Sequence, residues 1–489
     1  MISFVLSLLL LVGGYWIYGW FVARTFGEDH NRPTPVSTMA DGVDYVELPP
    51  WKIYLIQFLN IAGLGPIFGA IMGIMFGPAA FLWIVFGTIL GGAVHDYLSG
   101  MLSLRRNGAS LPEIVGQEMG VKVKLVMRVF ALLLMILVGA VFVYNPADLL
   151  AMLTPQSLDK TFWIVVIFAY YMAATMLPID KLIGKLYPLF GIALLFMALG
   201  IMVMLFAHAD AVPEIWQQFY NHKPDADAAP IFPMMFVSIA CGAISGFHAT
   251  QSPMMARCMA NEKYGRPVFY GAMVTEGVVA LIWAAAAVAF TGGYDGLQDA
   301  LGAGSPAVLV NDLSRTWLGS FGGVLAILGV IAAPITSGDT ALRSARLIAA
   351  DFMGVTQKQI VKRLLVSVPL FVLCFIVMLM PYEVLWRYFA WCNQVLAAIT
   401  LWALTIYLAR AGKMYMITLL PALFMTCVTV TYILFAPEGL SMLTQSAFGT
   451  VVKYEYAVGG GVLAAALLLY WFAWQLRAHR RSARLSQPA

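Results

Sequence analysis

Trp51-Lys-Ile-Tyr-Leu-Ile-Gln-Phe-Leu-Asn60-Ile-Ala-Gly63-Leu-Gly65-Pro66-Ile-Phe-Gly69 is the stretch whose reading decides the fold of this chain. It is apolar and long enough to enter a membrane, whose hydrocarbon core of about 30 Å takes about 20 helical residues. It is also interrupted. Pro66 removes a backbone donor and disfavours helical geometry at the residue before it. Gly63 and Gly65 make local unwinding cheap. A helix broken halfway across a bilayer frees backbone groups that only buried protein or a polar cavity can satisfy.

A second stretch repeats the pattern. Phe232-Pro-Met-Met-Phe-Val-Ser238-Ile-Ala-Cys-Gly242-Ala-Ile-Ser245-Gly246-Phe-His248-Ala-Thr250-Gln251-Ser252-Pro253 breaks at small residues and is rich in hydroxyls. Either break alone reads as well as a kink for close helix packing. Two breaks in corresponding positions point instead to a midplane binding site.

The rest of the chain supplies the frame. Of 489 residues, 61% are hydrophobic and 11% charged, against about 25% charged in a soluble protein. Apolar blocks predict about thirteen spans, near 2–22, 51–77, 79–102, 124–143, 161–177, 186–207, 230–250, 268–290, 318–341, 362–381, 384–409, 414–435 and 455–476. Lys and Arg fall in alternate loops. One side takes Arg24, Arg32, Lys52, the 105–128 cluster, Lys181, Lys185, Arg257, Lys263 and Arg266. It continues with Arg343, Arg346, Lys358, Lys362, Arg363, Arg410, Lys413, Arg477, Arg480, Arg481 and Arg484. The other has only Lys160, Lys223, Arg315, Arg387 and Lys453. By the positive-inside rule the N-terminus is outside and the tail cytoplasmic. The first block lacks a basic leader and a small-residue cleavage site, so it reads as a retained helix.

The breaks lie five spans apart and so run in opposite directions. That predicts an all-α membrane protein with a five-plus-five inverted-repeat core. Residues 51–207 form the first repeat and 230–409 the second. Residues 1–50 add one helix and a loop, and 414–489 add two helices and a basic tail.

Ionisable residues inside spans are costly and are candidates for function. His95 and Asp96 follow Gly91-Gly92, His248 follows the second break, and Glu276 and Asp339 lie in later spans. For His95-Asp96 two readings stand: transport, or interfacial pairing with Arg105 or Arg106. His248 either carries a proton or is a hydrogen-bonded core histidine. Asp339, in Thr336-Ser337-Gly338-Asp339-Thr340, reads as a cation or proton handler, with Arg343 and Arg346 as alternative partners. Glu383 and Arg387 are spaced to pair on one helix face. Ala307–Arg315 reads as an outside helix, either a lid or an ordinary loop. The five cysteines lack metal-ligand spacing and read as small apolar residues. No Gly-Lys-Ser/Thr loop, HExxH or Gly-x-Ser-x-Gly motif occurs, so neither an ATP motor, a cofactor nor a catalytic constellation is expected.

Ile61-Ala-Gly-Leu-Gly-Pro66, Gly91-Gly-Ala-Val-His-Asp96, Arg105-Arg-Asn-Gly-Ala-Ser-Leu111, Ile239-Ala-Cys-Gly-Ala-Ile-Ser-Gly-Phe-His-Ala249 and the segment Asp339–Asp351 together resemble the carbon starvation protein A family. The resemblance implies an inner-membrane importer of peptides or pyruvate, linked to nutrient limitation, with a LeuT-like fold. It also implies a sodium site at Thr336, Ser337 and Thr340, against the first broken helix. The chain departs from the family's pattern at Ile56-Gln57, where members carry a His pair, and at His95, where many carry Gln.

The expected protein is a proton- or sodium-coupled symporter in the bacterial inner membrane, not an enzyme. Gly63, Gly65, Ser245, Gly246, His248, Thr250 and Gln251 are the expected substrate contacts, a helix N-terminus being suited to a carboxylate. Asp339, Thr336, Ser337, Asp96, His95 and Glu276 are the expected coupling groups. The partners are a small molecule, a coupling cation and lipid, with no nucleic acid. An uncoupled facilitator and an amino-acid symporter of the same superfamily are the alternatives. A membrane-embedded enzyme is a third class.

Overall fold

The structure, a computed structural model, describes residues 1–176, 179–357 and 359–485; for 179–184, 186, 383 and 480–485 it describes the backbone alone. Lys358 and the side chains of Lys181, Glu383, Arg480, Arg481 and Arg484 therefore lie outside the described residues.

Long apolar helices dominate. In chain order they are α1 (Ile2–Phe26), α2 (Pro50–Ile61), α3 (Gly65–Phe76), α4 (Ala79–Arg105), α5 (Leu111–Met119), α6 (Val121–Leu153), α7 (Lys160–Met176), α8 (Ile179–Ala207) and α9 (Ile231–Ser238). There follow α10 (Gly246–Ala256), α11 (Glu262–Thr291), α12 (Tyr294–Ala303), α13 (Pro306–Met353), α14 (Ile360–Val377), α15 (Tyr382–Arg410), α16 (Met416–Phe435), α17 (Leu440–Phe448) and α18 (Tyr454–Leu485). Among the described residues there is no strand. Among those residues, ten helices are long and apolar enough to cross a membrane, or eleven when the bent pair α2–α3 counts as one. The expected thirteen also include α7, which is too short by this measure, and the broken pair α9–α10.

Both sequence-predicted breaks are present. α2 ends at Ile61 and α3 resumes at Gly65 with a 52° change of direction. α9 ends at Ser238 and α10 begins at Gly246, leaving seven residues between them without continuous helix. The expected outside helix near Ala307–Arg315 is the first part of α13, which turns sharply at Gly319 (φ 63°).

The burial pattern is that of a chain in lipid. Large apolar side chains such as Ile17 and Leu365 are exposed on the outer helices. Gln57, Asn60, His95, Asp96, His248, Gln251, Glu276 and Asp339 are fully buried. Polar groups inside and apolar groups outside satisfy a solvent that offers no hydrogen bonds.

The two breaks pack against each other. A Cβ on Gly65 would lie 2.3 Å from the Cys241 Cβ, and one on Gly69 would lie 2.7 Å from the Ser238 carbonyl oxygen. A methyl group has no room at either position: Gly65 meets the Cys241 side chain, and Gly69 meets backbone across the gap. Gly69→Ala is expected to lower thermal stability. Its clash with a carbonyl cannot be relieved by a rotamer change, and overpacking costs about 1–3 kcal/mol, more than the ~0.5–1 kcal/mol a helical Gly→Ala gains. Gly13→Ala, whose Cβ meets nothing within 4 Å, is the matched control. Equal melting temperatures for the two variants would contradict the packing account.

Arg387, expected to pair with Glu383, has its Nε 3.6 Å from Glu438 Oε2; the side chain of Glu383 lies outside the described residues.

Candidate functional site

Freed backbone groups at each break find partners on neighbouring helices. At the second, Trp83 Nε1 donates to the Ile239 carbonyl (3.1 Å) and Thr88 Oγ1 to the Gly242 carbonyl (3.1 Å). At the first, Ser337 Oγ donates to the Leu59 carbonyl (3.0 Å), and the Thr340 hydroxyl, 3.0 Å from the Ser337 carbonyl, also lies 3.3 Å from the side-chain oxygen of Asn60. The hydroxyls singled out on α13 thus sit where α2 stops.

The N-terminus of α10 is occupied from a third helix. Asn393 Oδ1, on α15, accepts from the Phe247 amide (2.7 Å) and from Ser245 Oγ (3.0 Å). This is an N-cap supplied from elsewhere in the chain, on the amides that a ligand carboxylate was expected to use. Asn393→Ala leaves the buried Phe247 N–H without its acceptor. A destabilisation of about 1–3 kcal/mol is expected, read as a lower thermal midpoint in detergent. An unchanged midpoint would show that the cap contributes nothing.

The ionisable residues divide into two groups. In the first, α4, α10 and α11 meet. Asp96 Oδ1 lies 2.8 Å from His95 Nδ1, and Asp96 Oδ2 lies 2.8 Å from His248 Nδ1. A carboxylate only accepts, so both imidazoles carry hydrogen on Nδ1. His248 Nε2 then faces Glu276 Oε2 at 3.4 Å. All four side chains have zero exposure. His95 Nε2, His248 Nε2 and both Glu276 oxygens lack a hydrogen-bond partner. One proton between His248 and Glu276 would serve two of these atoms. The alternative pairing of Asp96 with Arg105 or Arg106 is not what the structure shows: Arg105 binds Glu262 (2.8 Å) and Arg106 binds Glu118.

In the second group, Tyr187 Oη donates to Asp339 Oδ2 at 2.6 Å, while its separation from the Thr336 carbonyl is 3.1 Å. Asp339 Oδ1 has no hydrogen-bond partner.

The expected substrate contacts are engaged within the protein. Thr250 Oγ1 donates to the Phe247 carbonyl (2.6 Å), and Gln251 Nε2 donates to Thr250 Oγ1 (2.9 Å). Gly65 is pressed on Cys241, Gly246 on α15, and a Cβ on Gly63 would meet Phe142 at 3.0 Å. His248, expected among the substrate contacts, belongs to the carboxylate group. Ser245 and His248 are close in sequence but turn to different helices. The structure is therefore closed around the breaks.

Sequence reasoning missed Asn393, Tyr187 and Thr88. Asn393-Gln394 is a polar pair inside an apolar span, and a search for uncharged polar residues as well as ionisable ones would have marked it.

Broken spans packed break to break, with buried ionisable groups beside them, define the fold as that of membrane transporters. A manganese transporter from Eremococcus coleocola superposes with TM-score 0.52 at 12% identity, over 90% of this chain and 99% of that one. MHP1, a nucleobase-cation-symport-1 family transporter, superposes with TM-score 0.51 at 13% identity, over 88% and 94%. At such identities the likeness is one of fold alone.

The chain belongs to the carbon starvation protein CstA family, whose profile matches residues 1–157, 147–305 and 293–432. An uncharacterized membrane protein of Haemophilus influenzae is 42% identical over 352 residues, 62% of this chain and 95% of that one. Peptide transporter CstA of Campylobacter jejuni is 28% identical over 332 residues, 55% of this chain. Pyruvate/proton symporter BtsT of Escherichia coli is 27% identical over 348 residues, 57% of this chain. The match spans 47% of each of these two named transporters.

Proposed function

We propose that this protein is a proton-coupled secondary importer of small organic carboxylates, working by alternating access. The observation that carries the reading is the chain His95–Asp96–His248–Glu276. It links three helices beside the second break and has proton positions left open on His248 and Glu276. Ionisable groups so placed suit a proton relay. A proton moves between Glu276 Oε2 and His248 Nε2, while Asp96 holds the imidazole in place. The substrate class rests on the relatives' names, a peptide transporter and a pyruvate/proton symporter. Both compounds carry a carboxylate.

The breaks support a core of two inverted five-helix repeats, 51–207 and 230–409. Residues 1–50 and 414–489 flank it, with the N-terminus outside and the tail cytoplasmic in a bacterial inner membrane. Because the breaks are closed on each other, substrate reaches Gly63, Gly65, Ser245, Thr250 and Gln251 only when α2–α3 and α9–α10 separate. Asn393 then surrenders the α10 N-terminus to the substrate carboxylate.

One observation favours sodium coupling instead. The Leu59 carbonyl, Ser337 and Thr340 converge where α2 ends, and Asp339 and Thr336 are on the same helix. A sodium ion there displaces the Ser337–Leu59 hydrogen bond. The two readings separate in proteoliposomes. Uptake of labelled pyruvate and of a panel of dipeptides is measured under an imposed pH gradient and, separately, an imposed sodium gradient. Accumulation with the pH gradient alone is the expected result. Accumulation only with sodium moves the coupling site to α13, and equilibration without accumulation makes the protein a facilitator.

A further inference from the structure

We propose that a groove between α1, α4, α9 and α16 binds one acyl chain of an anionic phospholipid, whose phosphate is held by Lys413. The groove has a volume of about 540 Å³, within the range of small-ligand sites, about 300–1,000 Å³. Among the described residues no charged side chain lines it. Its rim, with Phe86, Leu90 and Leu420, belongs to the exposed apolar surface that faces lipid. The groove is therefore continuous with that surface, and the molecule at its mouth is a hydrocarbon chain. Its back wall is the second break: Phe236 is near the end of α9, and Ile244 lies between α9 and α10. Trp83, whose Nε1 holds the Ile239 carbonyl, packs against Phe236 and Phe424 with ring centroids 4.8 and 5.6 Å away. A chain seated here packs on the side chains that fix the break.

One end of the groove carries charge. Tyr18, late in α1, and Met416, at the start of α16, line the groove where Lys413 ties the two helices together. Lys413 Nζ donates to the Phe26 carbonyl and stands 5.2 Å from the centre of the Phe26 ring. Burial, then the charges of Arg105 and Arg32, hold this ammonium below its ordinary value. Glu262, the acid that acts on it, is already bound to Arg105 by two hydrogen bonds of 2.8 Å. Among the described residues Lys413 forms no ion pair, and neither does Arg24 in the last turn of α1. A lipid phosphate supplies the missing counter-charge, as anionic headgroups do for basic residues at a membrane surface. In the orientation proposed above this end is cytoplasmic, so the lipid comes from the cytoplasmic leaflet. Movement of α9–α10 away from α4 and α16 opens the back wall, and the bound chain therefore favours the closed arrangement.

The test is lipid binding to the purified full chain in detergent, so its outcome is independent of which substrate or ion is moved. The protein is washed free of lipid. Thermal midpoints are then measured with dioleoyl phosphatidylglycerol, dioleoyl phosphatidylcholine, dihexanoyl phosphatidylglycerol and inorganic phosphate, and particle size is followed by light scattering. A ligand of the folded state raises its midpoint. Dioleoyl phosphatidylglycerol is expected to do so by several degrees at unchanged particle size, and the other three by less. Lys413→Gln is expected to reduce its effect to that of the phosphatidylcholine. Gly91→Leu, whose Cβ would meet Ile244 at an ordinary 3.4 Å, puts a side chain into the groove and is expected to abolish the lipid response. If that variant does not fold, Leu420→Trp at the exposed rim fills the mouth and is expected to weaken it. Several results overturn the proposal: phosphatidylglycerol no better than phosphatidylcholine in wild type, dihexanoyl lipid or inorganic phosphate acting as well as the long-chain lipid, a preference that survives Lys413→Gln, or a response that survives both groove substitutions. A midpoint gain that appears only with a doubled particle size overturns it too, and makes the groove a contact between two copies of the chain.

Discussion

Asp96→Asn is expected to reduce pH-gradient-driven uptake to background in proteoliposomes while leaving a folded protein. Each Asp96 oxygen accepts one imidazole N–H, at 2.8 Å in both cases. An asparagine keeps the shape but offers one acceptor oxygen and one donor nitrogen. The donor then faces a ring N–H, and one histidine must change tautomer or turn away. Removing the charge also leaves any proton on His248 without a counter-ion. Breaking one partner of a buried ionic network costs about 3–5 kcal/mol of stability, so a lower thermal midpoint is expected to accompany the loss of uptake. Asp339→Asn is the comparison. It removes the charge at this position while leaving an oxygen for the Tyr187 hydroxyl to donate to, and it leaves the relay intact, so pH-driven uptake is expected to persist. Wild-type rates in Asp96→Asn would remove the relay from the mechanism. Loss of pH-driven uptake in Asp339→Asn alone would move coupling to α13.

Gly246→Ala is expected to impair folding strongly. Its Cβ would stand 2.4 Å from the Leu396 Cβ, 2.5 Å from the Ala397 amide nitrogen and 2.5 Å from the Asn393 carbonyl oxygen. Two of these three atoms are backbone of α15, so no rotamer change makes room. Either α10 or α15 shifts, and a shift breaks the Asn393 cap on Phe247 and Ser245. The overpacking penalty of about 1–3 kcal/mol and the lost cap of about 1 kcal/mol add at one place. The expected readout is low yield of monodisperse protein and a thermal midpoint several degrees below wild type. A stable Gly246→Ala protein with altered substrate preference would instead support Gly246 as a substrate contact.

The breaks were legible in the sequence because Gly, Pro and a run of small residues have backbone consequences that no tertiary context removes. The α2–α3 bend falls at Gly63–Pro66 as read. The positions of the ionisable groups were legible too, since a charge in an apolar block stands out against its neighbours. Which of them meet was not. His95-Asp96 and His248 are separated by more than a hundred residues, and their contact depends on how α4 crosses α10. Spacing does not encode that. Asp339 and Asp96 looked alike as intramembrane carboxylates, yet one meets a tyrosine and the other two histidines. Asn393 was hidden for another reason: an uncharged amide adds little to a hydropathy contrast, although its hydrogen bonds fix the start of α10. Span count was the least secure reading. Length and hydropathy do not separate a short crossing such as α7 from a helix that stops within the membrane.

Substrate-coupled proton movement tests the central claim most directly. Proteoliposomes without an imposed gradient are given pyruvate or a transported dipeptide, and external pH is followed with a dye, for wild type and for Glu276→Gln. Glutamine keeps the size of Glu276 but cannot release a proton to His248 Nε2. The relay predicts external alkalinisation on substrate addition in wild type. In Glu276→Gln it predicts exchange of labelled for unlabelled substrate without any pH change. Alkalinisation of equal size in both proteins, at equal substrate uptake, would contradict it.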